Sequence, residues 1–304
     1  MIVVDGSDEA VFNEHSFRWR SLCLHLAVDP GLETPNGKVG GALTGLRHAQ
    51  YDRVVIADDD VCYGSAELAR IVALLDGAEI VRPQNFPEPL CWNARWDASR
   101  SLLNRLVGGD WPGTLALRRS VLLATNGYRG DVLFENLELV RTVRAAGGRE
   151  LVAFDLFVAR HPSSNRHFLD QRVRQAYDEW ARPPRLLLYL SMLPAMLLSR
   201  RKRRLGFIAG VVVLSVAGAE TGRWRAGGTA FFPFSASLFA PLWLLERSVC
   251  VWIAVVLRLF RGGVQYRGER IRVAATPLRE LRRRHGHVVK AVQNQTRVRQ
   301  EAGG

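Results

Sequence analysis

The consecutive aspartates Asp58-Asp59-Asp60 are the residues in this sequence whose type and spacing point most directly to chemistry. They follow residues 53–57, which are apolar after the first position and predict a buried strand. Because side chains alternate along an extended chain, Asp58 and Asp60 can face the same way while Asp59 points elsewhere. Adjacent carboxylates repel one another, so a hard divalent cation, completed by phosphate oxygens of a substrate, would suit them. The alternative is a solvated acidic turn after a strand.

The surrounding pattern predicts how these aspartates are positioned. Short β-branched runs alternate with helical stretches through residues 1–183, as a parallel α/β sheet requires. Open α/β sheets place their ligands at the carboxyl ends of the strands, where the aspartates would lie. Strands are predicted at residues 2–4, 22–28, 53–57, 78–82, 113–118 and 150–154, and helices at 38–50, 65–75, 93–106, 137–146 and 166–181.

Composition argues against two classes of protein. Apolar residues make up 48% of the 304, which is too many for a disordered chain. The formal net charge of +13 does not by itself indicate nucleic-acid binding, because the chain lacks the interleaved aromatics or groove-entering motif that such binding needs. We therefore expect no nucleic-acid partner. The four cysteines fit neither a CxxC metal site nor a dense disulfide framework, which predicts free thiols.

Residues 184–260 are mostly apolar and predict a helical membrane region. A span needs roughly 20 apolar residues, a length that residues 205–219 approach and 229–260 exceed, whereas 186–198 falls short. We expect 186–198 to lie in the interface plane as a monotopic helix. The alternative is that all of these blocks are buried core helices.

The distribution of basic residues predicts an orientation. The run at 200–204 and the arginines that follow residue 260 should be cytoplasmic, because cytoplasmic loops carry an excess of Lys and Arg. The connection 220–228 is less basic. The chain is therefore predicted to cross the membrane twice, out through 205–222 and back, with 220–228 on the far side and the α/β domain in the cytoplasm. The basic tail would contact anionic headgroups.

Short motifs along residues 2–175 occur in an order that resembles glycosyltransferase family 2. They are VVDGS at 3–7, PNGKVGGALTGL at 35–46 followed by VVIADDD at 54–60, GTLALRR at 113–119, NGY at 126–128 with LFENLEL at 133–139, and QRVRQ at 171–175. The apolar carboxyl-terminal part and GGVQYRG at 262–268 look most like the ceramide glucosyltransferase-like and hopanoid-type branch of that family.

This resemblance implies a GT-A fold, in which helices flank a mixed sheet. It implies a cytoplasmic GT-A domain over residues 1–183, lacking its amino-terminal strand, then interfacial and transmembrane helices over 184–260 and a basic cytoplasmic tail over 261–304. It also implies a nucleotide-diphosphate sugar as donor, with a UDP-sugar the first expectation, and a divalent cation, Mg²⁺ or Mn²⁺.

The resemblance assigns roles to individual residues. Asp58 and Asp60 would hold the metal, and Arg174 would contact the diphosphate. A carboxylate near residues 131–136 would remove the acceptor proton, either Glu135 or Asp131, with Glu135 preferred. The donor-binding residues implied are Asp5, Lys38, Asp58, Gln171 and Arg172, with Asp5 at the nucleobase or ribose and Lys38 near it.

The sequence departs from the family pattern at several points. Asn136 stands where the family usually has its catalytic aspartate, and an amide cannot accept a proton. Gln175 replaces the tryptophan of the QxxRW motif. The chain begins at what would be the second strand, which leaves two explanations open: a misassigned start, or an incomplete pocket for the nucleobase.

Each assigned residue also has a structural alternative. Asp5 could cap a turn, Lys38 could mark a polar loop, and Glu135 could be a helix N-terminal charge favoured by the macrodipole. Arg172 and Arg174 could be solvated partners of the acidic residues at 170, 178 and 179.

The leading functional hypothesis is a membrane-attached inverting glycosyltransferase. It would transfer a hexose or N-acetylhexosamine to a lipid hydroxyl at the cytoplasmic face. A processive polysaccharide synthase is the alternative among enzymes. A catalytically inactive membrane scaffold with the same fold is the alternative of another class.

Overall fold

The computed structural model describes residues 1–266, 268–286 and 288, without the side chains of residues 201 and 202. Arg267 and residues 287 and 289–304, all within the predicted basic tail, lie outside the described residues. The strands are β1 (Ile2–Asp5), β2 (Leu24–Ala27), β3 (Arg53–Ala57), β4 (Val61–Cys62), β5 (Ile80–Pro87), β6 (Thr114–Arg118), β7 (Glu150–Arg160), β8 (Val264–Tyr266) and β9 (Glu269–Ile271). The helices are α1 (Glu9–Trp19), α2 (Gly37–His48), α3 (Ser65–Leu74), α4 (Trp92–Val107), α5 (Arg119–Ala124), α6 (Glu135–Ala145), α7 (Asn165–Tyr177), α8 (Pro183–Leu198), α9 (Arg201–Trp224), α10 (Phe234–Ser237), α11 (Ala240–Arg261) and α12 (Leu278–His285).

The central sheet is mixed rather than wholly parallel. Its five strands are ordered β3-β6-β5-β7-β4, with β5 and β7 parallel. β6 is antiparallel to both of its neighbours, and β4 is antiparallel to β7. The wholly parallel sheet that the alternation predicts is therefore wrong, because β4 and β6 enter the sheet in the opposite direction. The mixed α/β architecture implied by the family resemblance is what the structure has.

The strands β1 and β2 form a separate parallel pair. In the described part of the chain, neither strand is hydrogen-bonded to β3. Helix α2 packs against both units: Gly45 lies 3.4 Å from a methyl group of Val4 in β1, measured from an ideal Cβ, and Leu46 packs in the core cluster with Val54 and Ile56 of β3. The β1–β2 pair and the five-stranded sheet are therefore connected through α2 rather than through strand pairing.

Helices α4, α7, α8 and α11 pack together beyond the carboxyl-terminal half of β7. Helix α11 runs along α7 and presents Trp243, Val251 and Ala254 to the interior. Helix α9 packs closely on α4 because Gly218 and Gly222, one turn apart, have no side chains. A Cβ at Gly222 would lie 2.0 Å from the carbonyl oxygen of Leu102.

The connection after α9 lies against the α/β domain. The buried guanidinium of Arg105 in α4 donates to the carbonyl oxygens of Gly222 and Phe154, each at 3.0 Å, and to that of Arg225. The guanidinium of Arg225 stacks on the ring of Phe154, 3.5 Å from its centroid. This contact corrects the predicted topology: residues 220–228 cannot touch the domain and also lie beyond a hydrocarbon core about 30 Å thick.

Much of the apolar surface of these helices is exposed. Arg203–Ala230 and Phe234–Arg261 are long and apolar enough to cross a membrane, which is weak support for membrane attachment, and Pro183–Leu198 is a shorter apolar helix. Helix α11 has one face against the domain and an exposed opposite face, whose apolar residues include Leu245, Val249, Trp252 and Val256. A helix apolar on both faces needs a second apolar environment besides the protein interior.

Candidate active site

A cavity of about 230 Å³ lies at the carboxyl end of β3. Asp58 and Asp60 line it from the loop after β3, Glu135 lines it from the start of α6, and Arg174 lines it from α7. The cavity continues to α11, which contributes Trp243 and Arg247. The fold therefore brings together residues that are more than 100 positions apart in the sequence.

Lys38 connects two carboxylates at the acidic end of the cavity. Its Nζ lies 2.6 Å from Oδ1 of Asp58 and 2.8 Å from Oε1 of Glu135. Burial alone would lower the pKa of Lys38, but the carboxylates of Glu135 and Asp58 hold that pKa above its ordinary value. Burial likewise opposes ionisation of Glu135, and the Lys38 ammonium outweighs it and lowers the pKa of that carboxyl. Glu135 is therefore ionised and held in one position.

Arg160, the last residue of β7, was not singled out by the sequence and pairs with both outer aspartates. Its Nε lies 2.9 Å from Oδ2 of Asp60 and its Nη2 lies 3.5 Å from Oδ2 of Asp58. Asp58 and Asp60 therefore face the same side, as the alternation predicts, while Asp59 is exposed. The position of Arg160, a charge at the carboxyl end of the long strand β7, is a signal in the sequence for this residue.

Gly113 is required at the acidic end because nothing larger fits. Its carbonyl accepts a hydrogen bond from the backbone N–H of Asp58 at 2.8 Å. An added Cβ would lie 2.6 Å from Oδ2 of Asp58 and 3.1 Å from Cζ of Arg160. This glycine therefore allows the chain to approach the carboxylate–guanidinium pair.

The donor set at the acidic end fits a hard divalent cation in part. Oδ1 of Asp60 is buried and has no hydrogen-bond partner among the described residues. The same residues contain no group of three or more acidic, histidine or cysteine side chains placed to hold a metal ion. A cation held by one or two carboxylates and completed by substrate phosphates needs no such group. Asp60, with Asp58 beside it, could therefore hold Mg²⁺ or Mn²⁺ together with a nucleotide.

The QRVRQ segment places three of its residues at the cavity, Gln171, Arg174 and Gln175. The Arg174 guanidinium stacks on Tyr266 of β8, 4.9 Å from the ring centroid. Nε of Arg174 is buried without a hydrogen-bond partner among the described residues. Asn136 also lines the cavity, and its Nδ2 donates to the carbonyl of Pro112 at 2.9 Å. Its amide thus positions the chain beside Glu135.

The structure does not bring three predicted site residues to this cavity. Asp5 contacts Ser7, His15 and His25 within the β1–α1–β2 unit. Lys38, which was expected near Asp5, instead forms ion pairs with Asp58 and Glu135.

Asp131 and Arg172 are the other two. Asp131 forms an ion pair with Arg129, and its side chain is half exposed. The Arg129 hydrogen bond lowers the pKa of Asp131. Arg172 bonds Asp97 at 2.8 Å and stacks on Phe168, so its partners are not the acidic residues expected from the sequence.

The opposite end of the cavity is rich in arginine. Its lining residues from α7 onward are His167, Gln171, Arg174, Gln175, Asp178, Glu179, Arg182, Arg185, Trp243 and Arg247. Arg182 and Arg185 both bond Oε1 of Glu179, at 3.1 and 3.3 Å. Burial lowers the pKa of Arg182 to about 10 and raises that of Asp178 to about 7. The sequence indicated Arg247 only as a charge within an apolar block.

Comparison with known proteins bears on the amino-terminal part of the chain. Residues 3–81 match the family model "Glycosyl transferase family 21". This part of the chain resembles a glycosyltransferase. The matched range, about a quarter of the 304 residues, contains Lys38, Asp58 and Asp60, whereas Glu135 and Arg174 lie outside it. The match supports a glycosyltransferase that uses a nucleotide sugar, while the resemblance to family 2 and its lipid-modifying branch stays a prediction.

A search of solved structures found mannosyltransferase PcManGT from Pyrobaculum calidifontis, in complex with GDP-Man and Mn²⁺. The alignment has 18% sequence identity and a TM-score of 0.47, and it covers 86% of this chain and 77% of that one. No match to a curated protein was found.

Proposed function

We propose that this protein is a metal-dependent, inverting glycosyltransferase with a GT-A fold, attached to a membrane. It would transfer a hexose or N-acetylhexosamine from a nucleotide-diphosphate sugar, a UDP-sugar in the first instance, to a hydroxyl of a lipid acceptor. One observation carries the proposal: Asp58, Asp60, Glu135 and Arg174 line one cavity at the carboxyl end of β3. The match to a glycosyltransferase family over residues 3–81 supports it independently.

Asp60, together with Asp58, would hold the divalent cation. When bound, this cation would neutralise negative charge on the diphosphate leaving group. Lys38 and Arg160 compensate the aspartates within the protein. Nucleotide binding would therefore exchange part of this internal pairing for pairing with the metal and the phosphates.

Arg174 would bind the diphosphate from the other side. Its guanidinium is fixed by stacking on Tyr266, so its fork is preorganised for phosphate oxygens. Glu135 would accept the proton of the acceptor hydroxyl while the acceptor oxygen forms its bond to the anomeric carbon. The bond from that carbon to the diphosphate oxygen breaks, the nucleoside diphosphate leaves, and the anomeric centre inverts. Asp5 would contact the nucleobase from the β1–β2 unit.

Attachment to a membrane would be through one face of the molecule. The exposed apolar residues of α8, α9 and the outer side of α11 would enter the interface, with the basic residues 200–204 at the headgroups. This arrangement keeps residues 220–228 on the same side as the α/β domain, as the Arg105 contacts require. We place the catalytic domain at the cytoplasmic face.

An inactive scaffold is the second candidate, because Asp58, Asp60 and Glu135 at the acidic end of the cavity already have cationic partners within the protein. Transfer of label from UDP-glucose, UDP-N-acetylglucosamine or GDP-mannose into lipid extracts of membranes that contain the full chain distinguishes the two. We expect transfer that requires Mn²⁺ or Mg²⁺, stops with EDTA and is lost in Asp60→Asn. The exposed neighbour provides the matched control, Asp59→Asn, which should retain activity. Equal activity of Asp60→Asn and wild type would contradict the proposal.

A further inference from the structure

Arg247 is an unusual residue for the apolar helix α11. Its side chain is 1% exposed, yet Nε and Nη1 have no hydrogen-bond partner among the described residues. Within the described chain it forms no ion pair, its guanidinium lies 5.1 Å from the ring centroid of Trp243, and only the longer-range attraction of the Glu246 and Asp178 carboxyls compensates its charge. A buried charge without a direct partner costs several kcal/mol. A buried arginine of this kind at the wall of a cavity therefore indicates a function other than stabilising the fold.

Other unpartnered donors face the same cavity. Nε1 of Trp243 and Nε of Arg182 are buried and make no hydrogen bond to a described residue. Acceptors without partners also occur there, namely Oδ1 of Asp178, Oε2 of Glu179 and Oε1 of Gln175. The charges do not balance, however. From α7 onward the lining contains four arginines, Arg174, Arg182, Arg185 and Arg247, against the carboxyls of Asp178 and Glu179.

We infer that this end of the cavity binds the phosphate group of an amphiphilic acceptor, with Arg247 as its principal contact. The inference rests on the proposed function and names the acceptor class for the same site. A guanidinium with free Nε and Nη donors matches two phosphate oxygens. An indole N–H beside it adds a third donor. Arg174 remains with the diphosphate of the donor, at the boundary between the two ends.

The other face of α11 indicates that the phosphate belongs to an amphiphile. Leu245, Val249 and Trp252 are exposed on the side opposite Arg247, and all are 42 to 48% exposed. The same helix thus offers an arginine to the cavity and an apolar surface outside. Helix α11 thus separates the cavity from the surface that would lie in the membrane interface, and an acceptor taken up from that interface would carry an alkyl tail.

Binding of dodecyl phosphate, dodecanol and inorganic phosphate to the purified full chain in detergent micelles tests the inference. We expect dodecyl phosphate to bind at least 10-fold more tightly than either of the others. Arg247→Met should weaken the binding of dodecyl phosphate at least 10-fold. Arg261→Met, which removes an exposed arginine of the same helix, should not change it. Equal affinity of Arg247→Met and wild type, or equal affinity of wild type for dodecanol or inorganic phosphate, would overturn the inference.

Stability gives a readout that a merely structural arginine would not produce. Without ligand, Arg247→Met should unfold at a higher temperature than wild type, because it removes an unpaired buried charge; a lower temperature would count against the inference. If that variant does not fold, Arg247→Lys keeps the charge but removes the fork. Arg247→Lys should weaken the binding of dodecyl phosphate at least threefold, and unchanged affinity would overturn the inference.

Nucleotide binding to the same samples separates this inference from the proposed function. Wild type that binds dodecyl phosphate but neither UDP nor GDP with Mn²⁺ would contradict the glycosyltransferase and leave the phosphate site standing. Wild type that binds a nucleotide but no dodecyl phosphate would contradict the phosphate site alone.

Discussion

The two ends of the cavity carry opposite charge and differ in how far that charge is compensated by partners within the protein. At the acidic end, Lys38 and Arg160 lie within 3 Å of carboxylate oxygens, so the charges are compensated inside the protein. At the basic end, Arg247 and Arg182 keep buried N–H groups without partners among the described residues. The first end is built to be stable when empty, and the second is built for an anion.

This difference separates two roles within one site. Compensated carboxylates are held in fixed positions and do little until a cation and a nucleotide displace their partners. Arg182 pairs with Glu179 and Arg247 is attracted by Asp178, but both keep buried N–H groups that can bind an anion without displacing a partner. Single substitutions can test each end of the cavity separately.

Replacing the proposed base should have the largest effect. Glu135→Gln keeps the size of the side chain but removes the proton acceptor, and we expect kcat for transfer to fall about 10³-fold. Steady-state rates with saturating donor measure it. Asp131→Asn decides between the two carboxylates that the sequence offered, and we expect it to change kcat less than twofold. A large loss for Asp131→Asn with little for Glu135→Gln would reverse the assignment.

Removing the compensating cation should destabilise the acidic end. Lys38→Met leaves Asp58 and Glu135 buried without their common partner, and we expect the free energy of unfolding to fall by about 3 kcal/mol. The double variant Lys38→Met/Glu135→Gln should recover part of this loss in urea unfolding. Arg47→Met, which breaks an exposed ion pair with Asp29, should cost about 0.5 kcal/mol or less. Equal costs at the two positions would remove the distinction between the ends.

Crowding the acidic end should also be costly. Gly113→Ala places a Cβ within 2.6 Å of Asp58 and against Arg160, and we expect a loss of about 2 kcal/mol in the free energy of unfolding. Gly77→Ala, whose Cβ would meet nothing within 4 Å, is the matched control. If both substitutions were neutral in urea unfolding, the close approach of Gly113 would have no energetic meaning.

The basic end predicts a dependence on pH. Burial raises the pKa of Asp178 from its ordinary 3.8 to about 7, although Arg174, Arg182 and Arg247 oppose the rise and Glu135 adds to it. A raised pKa contributes stability that is present below pH 3.8 and is lost as the pH rises through 7. Wild type should therefore lose on the order of 2–3 kcal/mol between pH 5 and 8 relative to Asp178→Asn. If the two proteins lost the same free energy of unfolding between pH 5 and 8, this prediction would be contradicted.

Most of the local elements could be predicted from the sequence, because each depends on its own residues. The strand after Glu79 is longer than predicted, since the register of β5 against β7 shifts between Arg82 and Gln84 and absorbs the missing N–H of Pro83. Helix α1 was not predicted because it buries no residue and has no apolar stripe. The direction of β6 depends on its partners, which a local pattern cannot provide.

The residues of the site also fall into two groups, those that sequence motifs predict and those that depend on how the helices pack. Motif resemblance identified Asp58, Asp60, Glu135 and Arg174, and the structure brings them to one cavity. It could not identify Arg247, because whether an arginine on an apolar helix faces a cavity or the surface depends on which side of α11 packs against α7. The predicted two-span topology failed for a related reason, since the contact between Arg105 and the end of α9 joins positions more than 100 residues apart.

Titration of UDP and GDP into the purified protein, with and without Mn²⁺, tests the central claim most directly. Nucleotide binding should require Mn²⁺ and should weaken at least 10-fold in Asp60→Asn and in Arg174→Gln, because the proposal assigns the metal to Asp60 and the diphosphate to Arg174. Binding that is equally tight without metal and in both variants would contradict a nucleotide-sugar site at this cavity.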